Sequence, residues 1–451
     1  MGMTELPAGF RVRIDPAVRR LDGGAALLGG SPTTLLRLKP QAAELIADGE
    51  LTVTSPATAA LARRFLDLGI AHPDLGPRPV AEVTVIVPVK DNQPGIDRLL
   101  KSLAQHVIVV DDGSAIPIQA PHVIRHAQCR GPAAARNTGL AAATTEFVVF
   151  IDSDAVPVAG WLAILSAHFA DPTLALVAPR IISLGDPAGA LGRYEQIRSS
   201  LDLGAKPGPV VPRSPVAYVP SAAMMVRRAA LEDGFDESMH VAEDVDLCWR
   251  LHEAGWRLRY EPAAQVAHEH RTTLRTWLGR KAFYGVGAAP LAARHAGDVA
   301  PLVLAPWSAA AGVALLSGTK TGAVSAVAAT GFAGFKLRRT LGGLAHPGRA
   351  AARLLAMGLG GALWQLASGI CRHYWPLAVL VGLCSRRARR VIALVALSEG
   401  LADWATHDGP GNLDPMRYVL FKRLDDVGYG AGLWWGAMRA RSLQALLPRV
   451  G

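Results

Sequence analysis

Cysteine is scarce in this chain: Cys129, Cys248, Cys371 and Cys384 lie far apart and form no CxxC pair. That argues against a disulfide framework or a structural zinc site and fits a reducing cytoplasm. The opening residues, MGMTELPAGF, have neither the charged start nor the apolar run of a secretory signal, so the N-terminal part is expected to stay in the compartment where it is made. There is no Walker loop, no G-x-S-x-G elbow and no repeat of fixed period. The stretch Tyr284-Gly285-Val286-Gly287-Ala288-Ala289-Pro290 imitates a dinucleotide fingerprint but meets proline where its helix should run. Acid is missing over a long interval, with no aspartate or glutamate between Asp298 and Glu399.

What is present is a chain of 451 residues, half of them apolar, long enough for two or three folded units with a sizeable core. Its net charge of +10 is unevenly spread: residues 301–451 carry 17 Lys and Arg against 6 Asp and Glu, or +11, which leaves 30 against 31, or −1, for residues 1–300. Uncharged runs at 299–319, 321–335, 354–371 and 373–385 alternate with Lys336-Leu337-Arg338-Arg339 and Arg386-Arg387-Ala388-Arg389-Arg390. Such basic, apolar sequence is expected to meet a lipid surface at the cytoplasmic face of the membrane rather than nucleic acid. A buried helical domain is the competing reading.

Composition divides the chain at about 76 and 299. Residues 1–76 alternate apolar positions at Phe10, Val12 and Ile14, pass through glycine pairs, and then show helical segments near 41–48 and from Ser55, a candidate N-cap, to Leu68. A small β-then-α unit is expected. A proline-dense linker over 73–79 leads into 80–298. There Val83 to Val89, Val107 to Val110 and Phe147 to Ile151 are continuous apolar runs, separated by helical spacing at Ile96, Leu99, Leu100 and Leu103 and by the alanines of 133–143. Continuous apolarity means strands buried on both faces, so this pattern predicts a parallel α/β sheet.

Ligands of an open parallel sheet gather beyond the carboxyl ends of its strands. Two of the runs end in acid: Asp111-Asp112-Gly113-Ser114 and Asp152-Ser153-Asp154. If the extended backbone persists, Asp152 and Asp154 point to one side, where two hard oxygen ligands suit Mg²⁺ or Mn²⁺ carrying phosphates. A third acidic group, Glu243-Asp244-Val245-Asp246, precedes an amphipathic helix closed by Gly255. Three acids in four residues exceed what one helix cap needs.

Together with Val85-Ile86-Val87-Pro88, Gly131-Pro132-Ala133-Ala134-Ala135-Arg136-Asn137-Thr138-Gly139-Leu140, Met225-Val226-Arg227-Arg228 and Gly234-Phe235-Asp236-Glu237, these groups resemble a family-two, inverting glycosyltransferase of the GT-A fold over 83 to about 275. The implied fold class is α/β: a Rossmann-like nucleotide-sugar-binding centre, a small N-terminal winged-helix-like α+β unit and a mostly helical C-terminal region. The resemblance implies that Asp112 holds the donor's nucleobase in a pocket lined by Pro88 and Val89, that Arg136 reaches the diphosphate, and that Asp152 bonds the ribose or the metal. It implies Asp154 as a ligand of a divalent ion (Mn or Mg), with His268 completing the shell and His270 as second choice. Asp244 is then the base that takes the acceptor's proton in a single, inverting displacement, with Glu243 and Met224 on the acceptor side. No QxxRW motif follows the acids, which favours transfer of one or a few sugars over processive synthesis.

Residues 1–76 resemble, more weakly, precursor-peptide recognition domains. The whole chain is similar to the glycosyltransferases of mycofactocin maturation, which implies a UDP-sugar donor of the UDP-glucose type, a peptide-derived acceptor and β-linked glucose. A cell-envelope transferase acting on a lipid-linked glycan stays open, as does a non-catalytic peptide-binding scaffold with a degenerate transferase domain.

Overall fold

The computed structural model describes residues 5–76, 78–80, 82–186, 189–271, 273–407 and 413–451; Pro77 of the linker lies outside them. The chain forms two compact units, residues 1–187 with 198–270, and residues 188–197 with 271–451. The N-terminal 76 residues have an apolar core of their own, from Leu6 to Ala71, and fold against the sheet within the first unit. The second unit begins at 271 and takes in most of the helix Gly189–Arg198 from the middle of the chain.

In the N-terminal part, the strand Arg11–Ile14 pairs antiparallel with Glu50–Thr52 and Ala71–Pro73. A second small sheet joins Arg19–Leu21, Ala26–Gly29 and Thr34–Arg37. Ser55 caps the helix Pro56–Asp67, accepting from the Thr58 N–H while the Thr58 hydroxyl accepts from the Ser55 N–H at 2.9 Å. Two bidentate ion pairs fasten this part to the sheet domain: Arg63 on Asp171 at 2.6 and 2.7 Å, and Arg257 on Asp67 at 2.7 and 3.0 Å.

The central sheet is built from β1 (Val83–Val89), β2 (His106–Asp111), β3 (Phe147–Ile151), β4 (Leu174–Ser183), β5 (Ala223–Arg227) and β6 (Arg257–His268), with short strands at its edges. The helices α1 (Gln93–Leu100) and α2 (Pro132–Ala142) connect its first three strands, and α3 (Glu243–Glu253) precedes β6. In space the order is β6-β4-β5-β3-β1-β2. The three apolar runs are mutually parallel, as their two-sided burial predicts, whereas β5 lies antiparallel between β3 and β4, so the sheet is mixed. From β1 the chain crosses first to β2 on one side and later to β3 on the other. That reversal opens a crevice beyond the ends of β1 and β3, where side chains from several segments meet.

The second unit contains α4 (Leu274–Val286), α5 (Pro306–Leu316), α6 (Lys320–Thr340), α7 (Pro347–Arg372), α8 (Trp375–Cys384), α9 (Arg386–Thr406) and α10 (Pro415–Arg439). Helices α4 and α10 touch backbone to backbone. A Cβ on Gly432 would sit 1.8 Å from the Ala282 carbonyl oxygen, a separation no side chain tolerates. Gly432→Ala is therefore expected to push the two helices apart and destabilise this unit by about 1–3 kcal/mol, read as a lowered thermal midpoint of the full chain in detergent.

Candidate active site

The acids at the ends of β2 divide the work. Asp111 is fully buried and accepts the N–H groups of Ser114 at 2.9 Å and Ile118 at 3.2 Å, with the Arg125 guanidinium also on it; it holds the loop. Asp112 accepts four hydrogen bonds, from His126 Nδ1 at 2.7 Å, the N–H groups of Arg130 and Gly131 at 2.8 Å each, and the Cys129 thiol at 3.1 Å. A carboxylate has about four acceptor sites, so a nucleobase reaching Asp112 must displace a donor, and the thiol is the weakest. Val89 belongs to the core and is 3% exposed; its carbonyl accepts the Asp112 N–H at 2.8 Å. Its side chain packs in the core, so of the two residues expected to line the pocket only Pro88 is half-buried.

Beyond β3 the backbone does not stay extended. The Ala155 N–H donates to the Asp152 carbonyl at 3.1 Å, closing a turn through Ser153 and Asp154. The two carboxylates converge through this turn rather than through strand alternation. Asn92, which caps α1, donates to the Ser153 hydroxyl at 3.1 Å, and Gly95 lets the turn approach: a Cβ there would lie 2.4 Å from the Ser153 carbonyl oxygen. Antiparallel pairing of Ala155 with His268 brings the end of β6 alongside. Asp152, Asp154 and His268 consequently offer ligand atoms within 4.8 Å of one another, and His268 Nε2 is 3.1 Å from Asp154. His270 is not in this group; its ring centroid is 6.3 Å from that of His268.

Arg136 lies on α2 and is 3% exposed. One guanidinium nitrogen donates to Asp152 at 2.8 Å and the other to Glu243 at 2.9 Å, while the ring of Phe235 lies 5.4 Å from its central carbon. Against the expectation that Arg136 reaches a diphosphate and Glu243 an acceptor, here Arg136 is a buried strut between carboxylates and Glu243 is its counter-ion. Met224 is also corrected: it is fully buried in β5 opposite Phe150 and has no surface for an acceptor.

Asp244 stands at the start of α3, whose N-cap is Ala242 in the left-handed region at φ 64°. The N-cap residue itself offers no side-chain bond. Asp246 is buried against Arg250 at 2.8 Å, while Asp244 accepts the N–H of Ser221 at 3.1 Å and, from the first turn of the helix, of Val245 at 2.9 Å. A left-handed alanine costs about 1–3 kcal/mol and persists only where its surroundings impose it. Burial, and the Glu243 charge beside it, push the Asp244 carboxyl up to about 7, against the Ser221 N–H and Arg136. Burial likewise raises Asp152, with Arg136 opposing and Asp154 reinforcing. Burial would lower the His268 imidazole, but Asp154 and Asp152 outweigh it and hold it above its ordinary value. Two carboxylates that favour positive charge beside them form a place for a cation, and two oxygens with one imidazole nitrogen suit Mn²⁺ or Mg²⁺.

Sequence reasoning missed the His126 bridge from Asp112 to Thr138, whose Oγ1 is 2.9 Å from His126 Nε2, because no motif marks it. It also gave no role to Phe235, although the Gly-Phe-Asp-Glu group was visible. Asn137 clamps the Phe235 backbone from both sides at 2.8 Å, which sets the ring against Arg136.

Residues 84–235 match Glycosyl transferase family 2, so the sheet and its acidic crevice are a glycosyltransferase domain of the GT-A fold. That match ends before Asp244 and His268. Over its whole length the chain is 49% identical to the pre-mycofactocin glycosyltransferase of Mycobacterium tuberculosis, in an alignment of 468 positions that covers all of both chains. The chain belongs to the pre-mycofactocin glycosyltransferase family. The poly-beta-1,6-N-acetyl-D-glucosamine synthase of Staphylococcus aureus is 27% identical over 139 residues, 30% of this chain and 33% of that one. Among solved structures, a mannosyltransferase from Pyrobaculum calidifontis in complex with GDP-Man and Mn²⁺ aligns over 80% of this chain and 90% of its own at 19% identity and a TM-score of 0.40.

The raised carboxyl gives a stability test. A group whose folded pKa lies above its unfolded value favours folding below the unfolded value and loses that contribution as pH rises through the folded one. Removing the charge with Asp244→Asn should therefore raise the thermal midpoint at pH 8 relative to the native chain and change it little near pH 4. Equal midpoints at pH 8 would show that Asp244 ionises without cost.

Proposed function

We propose that this protein is an inverting, metal-dependent glycosyltransferase that moves a hexose, glucose in the first instance, from a UDP-sugar to a hydroxyl of the peptide-derived mycofactocin precursor, forming a β-glycosidic link. One observation carries the reading: Arg136 ties the Asp152–Asp154–His268 group to the N-terminus of α3, where Asp244 stands with its carboxyl near 7. Full-length identity to a pre-mycofactocin glycosyltransferase supports the acceptor class.

In this reading Asp154, His268 and Asp152 hold the divalent ion, which supplies positive charge where the departing diphosphate becomes more negative. Pro88 and the Asp112 loop receive the nucleobase. Arg136 fixes Asp152 on one side and, through Glu243, the first turn of α3 on the other, so that Asp244 is held against the acceptor side. Asp244 takes the proton from the attacking hydroxyl as that oxygen reaches the anomeric carbon opposite the leaving group, and one displacement inverts the configuration. A base poised near 7 matches the working pH. The N-terminal part recognises the acceptor peptide, and the edge strand Thr34–Arg37, paired on one side by Ala26–Gly29, offers a place to add a strand. The helical unit holds the enzyme at the cytoplasmic face of the membrane.

Mass spectrometry of the precursor incubated with UDP-glucose, Mn²⁺ and the protein should show added hexose. Asp244→Asn is expected to lower turnover by about 10²–10⁴-fold with donor affinity retained, and unchanged turnover removes the base assignment. For the native chain kcat should climb as pH rises through about 7, because the base form predominates above that value. Asp154→Asn should weaken Mn²⁺ binding measured by calorimetry. Leu35→Lys on the edge strand should raise KM for the acceptor and leave donor KM unchanged; full activity on a lipid-linked glycan with none on the precursor would favour the cell-envelope reading.

A further inference from the structure

The helical unit buries most of its described carboxylates and leaves many large apolar side chains outside. Among its described acids Glu195, Glu399, Asp403, Asp425 and Asp426 are buried. Lys281 and Lys422, each 2% exposed, are buried with them. Lys281 Nζ is 3.0 Å from Glu195 and 2.8 Å from Asp425, Arg372 is 2.8 Å from Asp425, and Lys422 is 2.9 Å from Glu399. On the outside, Val327, Phe332 and Phe335 of α6 are 74%, 71% and 62% exposed, Leu380 and Leu383 of α8 are 59% and 73%, and Leu394 of α9 is 67%. A water-soluble helical domain has the opposite arrangement, and apolar patches of this kind mark a membrane or a partner.

We infer that the outer face of α5, α6, α8 and α9 is immersed in one leaflet of an anionic phospholipid bilayer without crossing it; this deepens the membrane association proposed above and rests on it. Charge selects lipid over protein. The exposed cations Arg386, Arg387, Arg389 and Arg390 follow directly on the exposed end of α8, and Lys336, Arg338 and Arg339 end α6, with no acid between Asp298 and Glu399 to oppose an anionic surface.

Length selects one leaflet. Helices α5 and α8 have 11 and 10 residues, about 15 Å at ~1.5 Å per residue, against a hydrocarbon core of ~30 Å. The uncharged stretch 321–335 of α6 has exposed lysines at both ends, Lys320 and Lys336, so both ends seek headgroups. The Arg387 guanidinium donates to the Gly318 carbonyl, which sets the α5–α6 and α8–α9 turns side by side. Helix α7 is long and apolar enough to cross a membrane, with 22% of its apolar window buried, but α5, α6, α8, α9 and α10 all pack against it, and α5 and α8 among them are too short to cross with it.

The test uses the full chain, diluted from detergent onto vesicles of phosphatidylcholine alone or mixed with phosphatidylglycerol. Flotation with the mixed vesicles, weakened but not abolished by high salt, is expected. Phe332→Glu combined with Leu383→Glu should reduce flotation at least tenfold. Gln in place of Arg386, Arg387, Arg389 and Arg390 should remove the preference for phosphatidylglycerol. Donor hydrolysis with Mn²⁺ in detergent should be unchanged in both variants, which shows that they fold. Trypsin added outside should cut at both basic clusters, 336–339 and 386–390. Flotation with one cluster protected would mean that the helices span, overturning the one-leaflet inference while membrane binding stands. Failure to float with any vesicle, or a soluble oligomer that masks the apolar face, would overturn both.

Discussion

The sheet unit depends on one guanidinium. Arg136 is buried between Asp152 and Glu243, residues 16 and 107 positions away in sequence, and Asp154 and Asp244 stand beside those partners. Four carboxylates in a crevice of low polarity repel strongly: at ~4 Å and an effective dielectric near 20, a pair of unit charges interacts by ~4 kcal/mol. A cation held by two hydrogen bonds and an aromatic face offsets that repulsion and orders both segments in one geometry. Because removing one partner leaves an uncompensated buried charge, such an arrangement resists change by about 3–5 kcal/mol. The Asp152–Asp154–His268 group and Asp244 are therefore positioned by a residue that is itself almost fully buried.

The same physics, inverted in place, shapes the helical unit. There lysines and arginines neutralise carboxylates between helices, with Trp277 donating to Glu195 at 2.7 Å and Tyr418 to Asp403 at 2.8 Å, while leucine, valine and phenylalanine face outward. Buried ion pairs are poor sources of net stability but strong selectors of one packing. Close helix contact through Gly432 adds to that selection.

Much of the fold was legible because burial leaves a mark on composition. The runs at 83–89, 107–110 and 147–151 announce two-sided strands, and Ser55 announces its helix. The acidic strand ends announce a polar crevice. The residues whose surroundings were not legible share a physical cause. Val89 and Met224 sit beside functional segments in sequence, but strand geometry turns their side chains into packed layers. Arg136 and Glu243 look like ligand groups until their long-range partner, which is each other, is known.

By itself the sequence determined which segments are strands, which ends carry carboxylates, and that the C-terminal part is basic outside long apolar runs. Those are properties of local period and composition. Tertiary structure alone decided that Asp152 and Asp154 converge through a turn, that His268 joins them by pairing with Ala155, that Arg136 faces inward, and that the helical unit keeps its acids at its centre. Each of these depends on groups distant along the chain arriving at one place. Electrostatic balance there is a property of the assembled neighbours, and no spacing between residues encodes it.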